Sequence, residues 1–203
     1  IWAQSRTGII TPMKDNAGFA FFVESKKDEF LKIINQIKVR ENIDTSIYTL
    51  TIYGEWVGQK IQSNVAIANL EKSLFIFGVK VSNIDDIEFD AYWVDCSNLR
   101  DSDHRIYNIL DYKTYEVDVD FNMPKLAQNK FVEIVEEVEA ECPVAKEFGF
   151  SGIGEGVVFS VEHNGSVHRF KAKGEKHAGK SKIKKLNKVD DEKIKKIMEV
   201  ADK

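Results

Sequence analysis

Apolar residues recur at helical spacing in two parts of the chain. In residues 26–39 a three- to four-residue repeat places apolar side chains on one face and predicts an amphipathic helix, with Phe30, Leu31, Ile33, Ile34 and Ile37 at the apolar positions. A second helix is predicted at residues 128–141 and ends before Cys142-Pro143, because proline disfavours helical geometry in the residue before it. A third helix is predicted at residues 190–201.

Elsewhere the apolar residues alternate with polar ones, which is typical of half-buried strands. In residues 46–56 the alternation places Tyr48, Leu50 and Ile52 on one face and Thr49, Thr51 and Glu55 on the other. The further predicted strands are residues 1–6, 73–80, 87–94, 114–121, 155–161 and 167–173. Antiparallel-looking runs with helices inserted between them predict an α+β fold of antiparallel sheets with flanking helices.

The composition limits the class of protein. It is 43% hydrophobic and 31% charged, as in soluble globular proteins, and no apolar run approaches the roughly 20 residues that span a bilayer, so no membrane partner is expected. Cys96 and Cys142 are too few for a secreted disulfide framework and favour a reducing, cytoplasmic compartment. The length of 203 residues allows one sizeable core, and we expect a monomeric domain.

Charge is distributed unevenly along the chain. Residues 168–203 contain 13 Lys and Arg against 6 Asp and Glu, a net +7, although the whole chain has a net charge of −4. A local basic region can bind a phosphate backbone even in an acidic protein. The alternative, equally open, is that the lysines of residues 184–196 form a solvated helix face.

Four short motifs give a more specific indication. In chain order they are Ser5-Arg6-Thr7-Gly8, Tyr53-Gly54-Glu55-Trp56, Glu155-Gly156-Val157-Val158-Phe159 and Phe170-Lys171-Ala172-Lys173. Their order and spacing resemble those of covalent nucleotidyltransferases, and most closely the ATP-dependent RNA ligases of the phage RNA-repair type. The resemblance implies a nucleotidyltransferase (ATP-grasp-like) domain over residues 1–183. Residues 184–203 would then be a basic helical appendage or the start of a C-terminal domain.

The resemblance also implies a reaction. In this family a lysine attacks the α-phosphorus of ATP, AMP passes to an RNA 5′-phosphate, and an RNA 3′-hydroxyl displaces it. Each step moves negative charge around one phosphate, so cations placed there would stabilise it. Lys171 and Lys173 would be those cations, since they share a strand face with Arg169. Read without the other motifs, the same pattern favours an exposed lysine-rich strand face.

Further roles follow from the same resemblance. Glu155, in an otherwise apolar strand, would hold Mg²⁺ or Mn²⁺, because hard cations prefer oxygen ligands. Glu55 would hydrogen-bond the nucleotide ribose, and Arg6 would contact the nucleotide or the RNA end. Phe77 would stack on adenine, although aromatic residues in strands more often pack in a core, and both readings stay open.

The nucleophilic lysine of the family is missing from the expected position. It belongs upstream of the arginine segment, so we expect the domain to be N-terminally incomplete, and Lys14 is a poor substitute because its neighbours do not match the motif. The alternative is a noncatalytic nucleotide- or RNA-binding module that has lost this lysine. A DNA ligase or capping enzyme is disfavoured, because the segment after Lys173 is too short for their next domain.

Strand parity makes one geometric prediction. A two-residue turn at Asn164-Gly165 would set Lys171 opposite Val158 and send Glu155 to the other face from both lysines. A shared site therefore predicts an odd-length loop or a one-residue bulge in this hairpin, against the usual preference of Asn-Gly for two-residue turns.

Overall fold

The computed structural model describes residues 1–86, 88–120, 122–163 and 166–177. Within these ranges the fold is α+β, as predicted. The strands are β1 (Ala3–Ser5), β2 (Gly8–Ile10), β3 (Thr49–Val57), β4 (Ser73–Ser82), β5 (Tyr92–Val94), β6 (Ile106–Asn108), β7 (Gly156–His163) and β8 (Ser166–Lys173). The helices are α1 (Phe19–Ser25), α2 (Lys27–Arg40), α3 (Lys125–Ala140) and α4 (Pro143–Glu147). None of these helices has the length and apolar character needed to cross a bilayer.

Strand β4 is the centre of a four-stranded sheet. It pairs antiparallel with β3 and β5, and parallel with β6, which the sequence pattern did not indicate. Val79 and Val81 of β4 are fully buried and share a core with Ile33 and Ile37 of α2. The helix predicted at residues 26–39 is therefore confirmed, and its apolar face covers the sheet.

The N-terminal segment is more regular than its sequence indicates. It forms a two-stranded hairpin, β1 and β2, followed by α1, where only the strand at residues 1–6 was predicted. Gly18 cannot cap α1 with a side chain, so the cap comes from further back. The Asp15 carboxylate accepts hydrogen bonds from the backbone amides of Ala20 and Phe21 at 2.7 and 3.0 Å. Asp15, which lies before the helix in sequence, thus caps the first turn of α1.

The β7–β8 hairpin packs on α3. The stacked rings of Phe159 and Phe170 both contact Phe131 of the helix, and Ala172 is buried beside them. Both strands and the helix were predicted. After α3 the chain begins the short helix α4 at Pro143, a position where the missing proline N–H has no consequence.

Two predicted strands differ from the structure. Of residues 87–94 only Tyr92–Val94 form a strand among the described positions, and residues 114–120 form none. Tyr115 and Val117 instead pack against the α3 core, and the Tyr115 hydroxyl hydrogen-bonds Glu137 at 3.1 Å. Apolar and polar residues alternate in this segment because one of its sides packs on α3, and the alternation does not come from pairing with a described strand. The helix predicted at residues 190–201 and the segment 184–203 lie outside the described residues.

Candidate functional site

A β-bulge places Phe77 on the outer face of the central sheet. Tyr53 pairs with Gly78 and Gly54 with Ile76, so Phe77 has no residue opposite it. The bulge shifts the alternation of β4, since Ile76 and Val79 are both fully buried in the main core. Phe77 is only half-buried, and its ring lies 6.4 Å from that of Tyr53. Phe77 is therefore a surface aromatic residue, which keeps the predicted stacking role open.

Trp93 of β5 completes an aromatic surface beside Phe77. Its ring centroid lies 5.1 Å from that of Tyr53. The indole crosses Gly78, where an added Cβ would lie 2.8 Å from Trp93 Cζ3. Glycine at this position is therefore what lets the indole approach the strand. Trp93 was not identified from the sequence as a site residue, although it lies in the part of the predicted strand 87–94 that forms β5.

Arg169, Lys171 and Lys173 share the face of β8 that is turned away from α3. Arg169 reaches the aromatic surface, with its guanidinium carbon 4.1 Å from the Trp93 ring centroid and 5.7 Å from that of Phe77. The register sets Lys171 opposite Val158 and Lys173 opposite Gly156. The predicted common face of the three basic residues is thus confirmed, and Arg169 connects that face to Phe77.

Glu155 meets Lys173 by a route that strand parity did not predict. The hairpin register runs without a shift to His163 opposite Ser166, so the prediction of an odd-length loop or a bulge is wrong. Lys173 Nζ nevertheless donates a hydrogen bond to Glu155 Oε1 at 2.5 Å. Glu155 precedes β7, and the next residue, Gly156, has a φ of +153°. Alternation ends at this glycine, which frees the Glu155 side chain to reach the lysine face.

The charges around Glu155 favour its ionised form. The hydrogen bond from Lys173 lowers the pKa of Glu155 below its ordinary value of 4.5, partial burial opposes this shift, and the positive charges of Lys171 and His177 add to it. His177 was not identified from the sequence. Its ring Nε2 is buried and has no hydrogen-bond partner among the residues that the structure describes. The described part of the site is therefore a carboxylate surrounded by cations.

Glu55 and Arg6 lie outside this cluster. Glu55 is exposed on β3, two residues beyond Tyr53 and opposite Phe75. Arg6 is exposed in the turn between β1 and β2. Among the described residues, neither forms a hydrogen bond or an ion pair with Glu155, Lys171 or Lys173. The structure thus brings together the two C-terminal motifs and Phe77, while the roles of Glu55 and Arg6 stay predictions.

The donor set fits a cation that binds chiefly through phosphate. Across the described ranges, no three His, Cys, Asp or Glu side chains are grouped for metal binding. Mg²⁺ commonly binds proteins through one or two carboxylates and takes its other ligands from water and substrate phosphates. Glu155 offers one such carboxylate, half-buried and next to two lysines. Phosphate recruited by the lysines would supply the remaining oxygens.

Comparison with known proteins does not identify the family. No protein-family model matches the chain, and no curated protein matches it significantly in sequence.

Proposed function

We propose that this chain is the nucleotidyltransferase domain of an ATP-dependent RNA ligase. One observation carries the proposal: the Glu155–Lys173 pair and Lys171 share a strand face with Arg169, whose guanidinium lies over Phe77. The lysines proposed to bind phosphate and the ring proposed to stack on the base therefore lie on adjoining surfaces. The four motifs in family order support the same reading.

The proposed chemistry assigns each residue a task. Lys171 and Lys173 bind the α-phosphate of ATP and neutralise the charge that develops during transfer. The Lys173 ammonium donates one hydrogen bond to Glu155 and has two further N–H donors, so it can bind phosphate beside that carboxylate. Glu155 would hold Mg²⁺ or Mn²⁺, which would supply further positive charge at the phosphates.

Three residues act around the rest of the nucleotide. Phe77 stacks on adenine, Glu55 hydrogen-bonds the ribose, and Arg6 contacts the nucleotide or the RNA end. The partners are RNA 3′-hydroxyl and 5′-phosphate ends, and the protein is proposed to act as a monomer in the cytoplasm.

The alternative function is that of a noncatalytic module that binds nucleotide or RNA. Its binding surface would involve the same residues, so binding measurements alone do not separate the two functions. Covalent transfer of AMP separates the two functions, because the noncatalytic module would not carry it out.

The deciding experiment incubates the complete encoded protein with ATP labelled at the α-phosphate, Mg²⁺ and nicked RNA carrying a 5′-phosphate. We expect labelled protein, labelled RNA and sealed product. Lys171→Ala and Lys173→Ala should each abolish AMP transfer, while Lys32→Ala, an exposed lysine on α2, should leave it unchanged. Nucleotide binding without labelled protein would favour the noncatalytic module, and equal loss in all three variants would mean that general basicity was mistaken for a site.

A further inference from the structure

Arg169 occupies the space next to the ring that is proposed to bind the base. Its guanidinium carbon lies 4.1 Å from the Trp93 ring centroid, which is contact distance for a planar cation stacked on an aromatic face. The same carbon lies over Phe77 at 5.7 Å. Gly78, between the two aromatic residues, leaves room for the group, because an added Cβ would lie 3.3 Å from Arg169 Nη2.

A base cannot stack on this side of Phe77 while the guanidinium is there. Stacked planes separate by about 3.5 Å, the optimal distance between carbon atoms. A base stacked between the two groups would need about 7 Å, twice that spacing, whereas the guanidinium carbon lies over the Phe77 ring only 5.7 Å from its centroid. Either the base or the guanidinium can occupy this position, but not both.

The arginine side chain is free to leave without disturbing the fold. Arg169 is exposed, and its backbone is held in the β7–β8 pairing opposite Ser160. The described structure gives its guanidinium no hydrogen bond or ion pair, so aromatic contacts hold it in place. Such contacts are weak at exposed positions. Rotation of the Arg169 side chain alone would therefore expose the face of the Phe77 ring.

We propose that Arg169 closes the base position of the nucleotide-free protein, and that a nucleotide base binds Phe77 by displacing the guanidinium from Phe77 and Trp93. This inference rests on the proposed function, since it takes Phe77 as the base-binding ring. It adds a residue that competes with the base and so sets the affinity of the site for nucleotides.

The test measures binding of adenosine by calorimetry to the wild-type chain and to Arg169→Ala and Arg169→Thr variants. Adenosine is uncharged, so loss of a positive charge does not by itself weaken its binding as it would weaken that of ATP. Both variants should bind adenosine about threefold to tenfold more tightly than the wild type, because no cation–π contact has to be broken. Arg169→Thr has a side chain too short to cover the aromatic rings, suits a strand, and guards against unfolding of the alanine variant.

Lys80→Ala is the matched control. Lys80 Nζ lies 5.8 Å from the Trp93 centroid, so this variant also removes a cation from the indole, but its adenosine affinity should equal that of the wild type. Equal or weaker adenosine binding by folded Arg169 variants would overturn the inference. If the wild type binds ATP in that case, the proposed function survives the loss of the inference. If neither ATP nor adenosine binds to the wild type or to any variant, both the inference and the proposed function are wrong.

Discussion

Lys173 Nζ donates a hydrogen bond to Glu155 Oε1 at 2.5 Å, although the residue opposite Lys173 in the strand pair is Gly156. The carboxylate reaches the lysine because it stands before the strand and not within it. In the proposed function this pair is the nucleotide-free state of the site. When the nucleotide is bound, Lys173 would donate to phosphate and Glu155 would hold the metal.

This ion pair makes part of the folding stability dependent on pH. The Lys173 hydrogen bond, acting against partial burial, lowers the pKa of Glu155 in the folded protein. The contribution of the pair to the free energy of unfolding is therefore fully present above the ordinary pKa of 4.5. It is lost as pH falls through the lower pKa of the folded state. The pair is partly exposed, so the contribution should be below about 1 kcal/mol. Urea unfolding of the wild type and of Glu155→Gln at several pH values measures it. A stability difference that stays constant from pH 3 to pH 7 would contradict the prediction.

Gly156→Ala should damage both the hairpin and the site. An added Cβ would lie 2.2 Å from the Ala172 carbonyl oxygen, so the strand pair must separate where Glu155 meets Lys173. Gly8→Ala is a close control, because Gly8 has a φ of +156° against +153° for Gly156, and an added Cβ there meets no atom within 4 Å. We expect Gly156→Ala to cost about 2 kcal/mol more than Gly8→Ala in urea unfolding. Equal costs would mean that backbone conformation alone requires the glycine.

Asp15→Ala should destabilise the protein through α1. The carboxylate accepts backbone hydrogen bonds from Asn16, Ala20 and Phe21, and loss of a helix cap costs about 1–2 kcal/mol. Partial burial raises the pKa of Asp15, but these hydrogen bonds and the charge of Lys72 outweigh it and lower the pKa below 3.8. The effect should therefore persist above pH 4 and fade as pH drops through the lowered value. Asp118→Ala, at an exposed aspartate, should change the free energy of unfolding by less than about 0.5 kcal/mol.

ATP with Mg²⁺ should raise the melting temperature of the chain. Binding to the folded state alone stabilises by mass action, and ATP at ten times its Kd corresponds to about 1.4 kcal/mol, or about 3–6 °C for a domain of this size. Thermal melts of Lys173→Ala should show a smaller rise, and those of Lys32→Ala the full rise. An absent rise in the wild type at millimolar ATP would count against the proposed pocket.

The sequence by itself determined the features that depend on local period. The helical repeat at residues 26–39 and the alternation in β3, β7 and β8 were readable because each side chain faces the core or solvent at a fixed interval. For the same reason the common face of Lys171 and Lys173 followed from parity alone. Helix α1 did not follow, because its cap comes from Asp15, several residues before its first turn.

Only the tertiary structure decided how these elements form a candidate site. The bulge at Phe77 shifts the alternation of β4, and the positive φ of Gly156 ends that of β7, so counting along either strand gives the wrong face. The contact of Arg169 with Trp93 joins residues 76 positions apart, and no local spacing encodes it. Parity holds only within an uninterrupted strand pair, and the proposed site lies where two such pairs are interrupted and brought together.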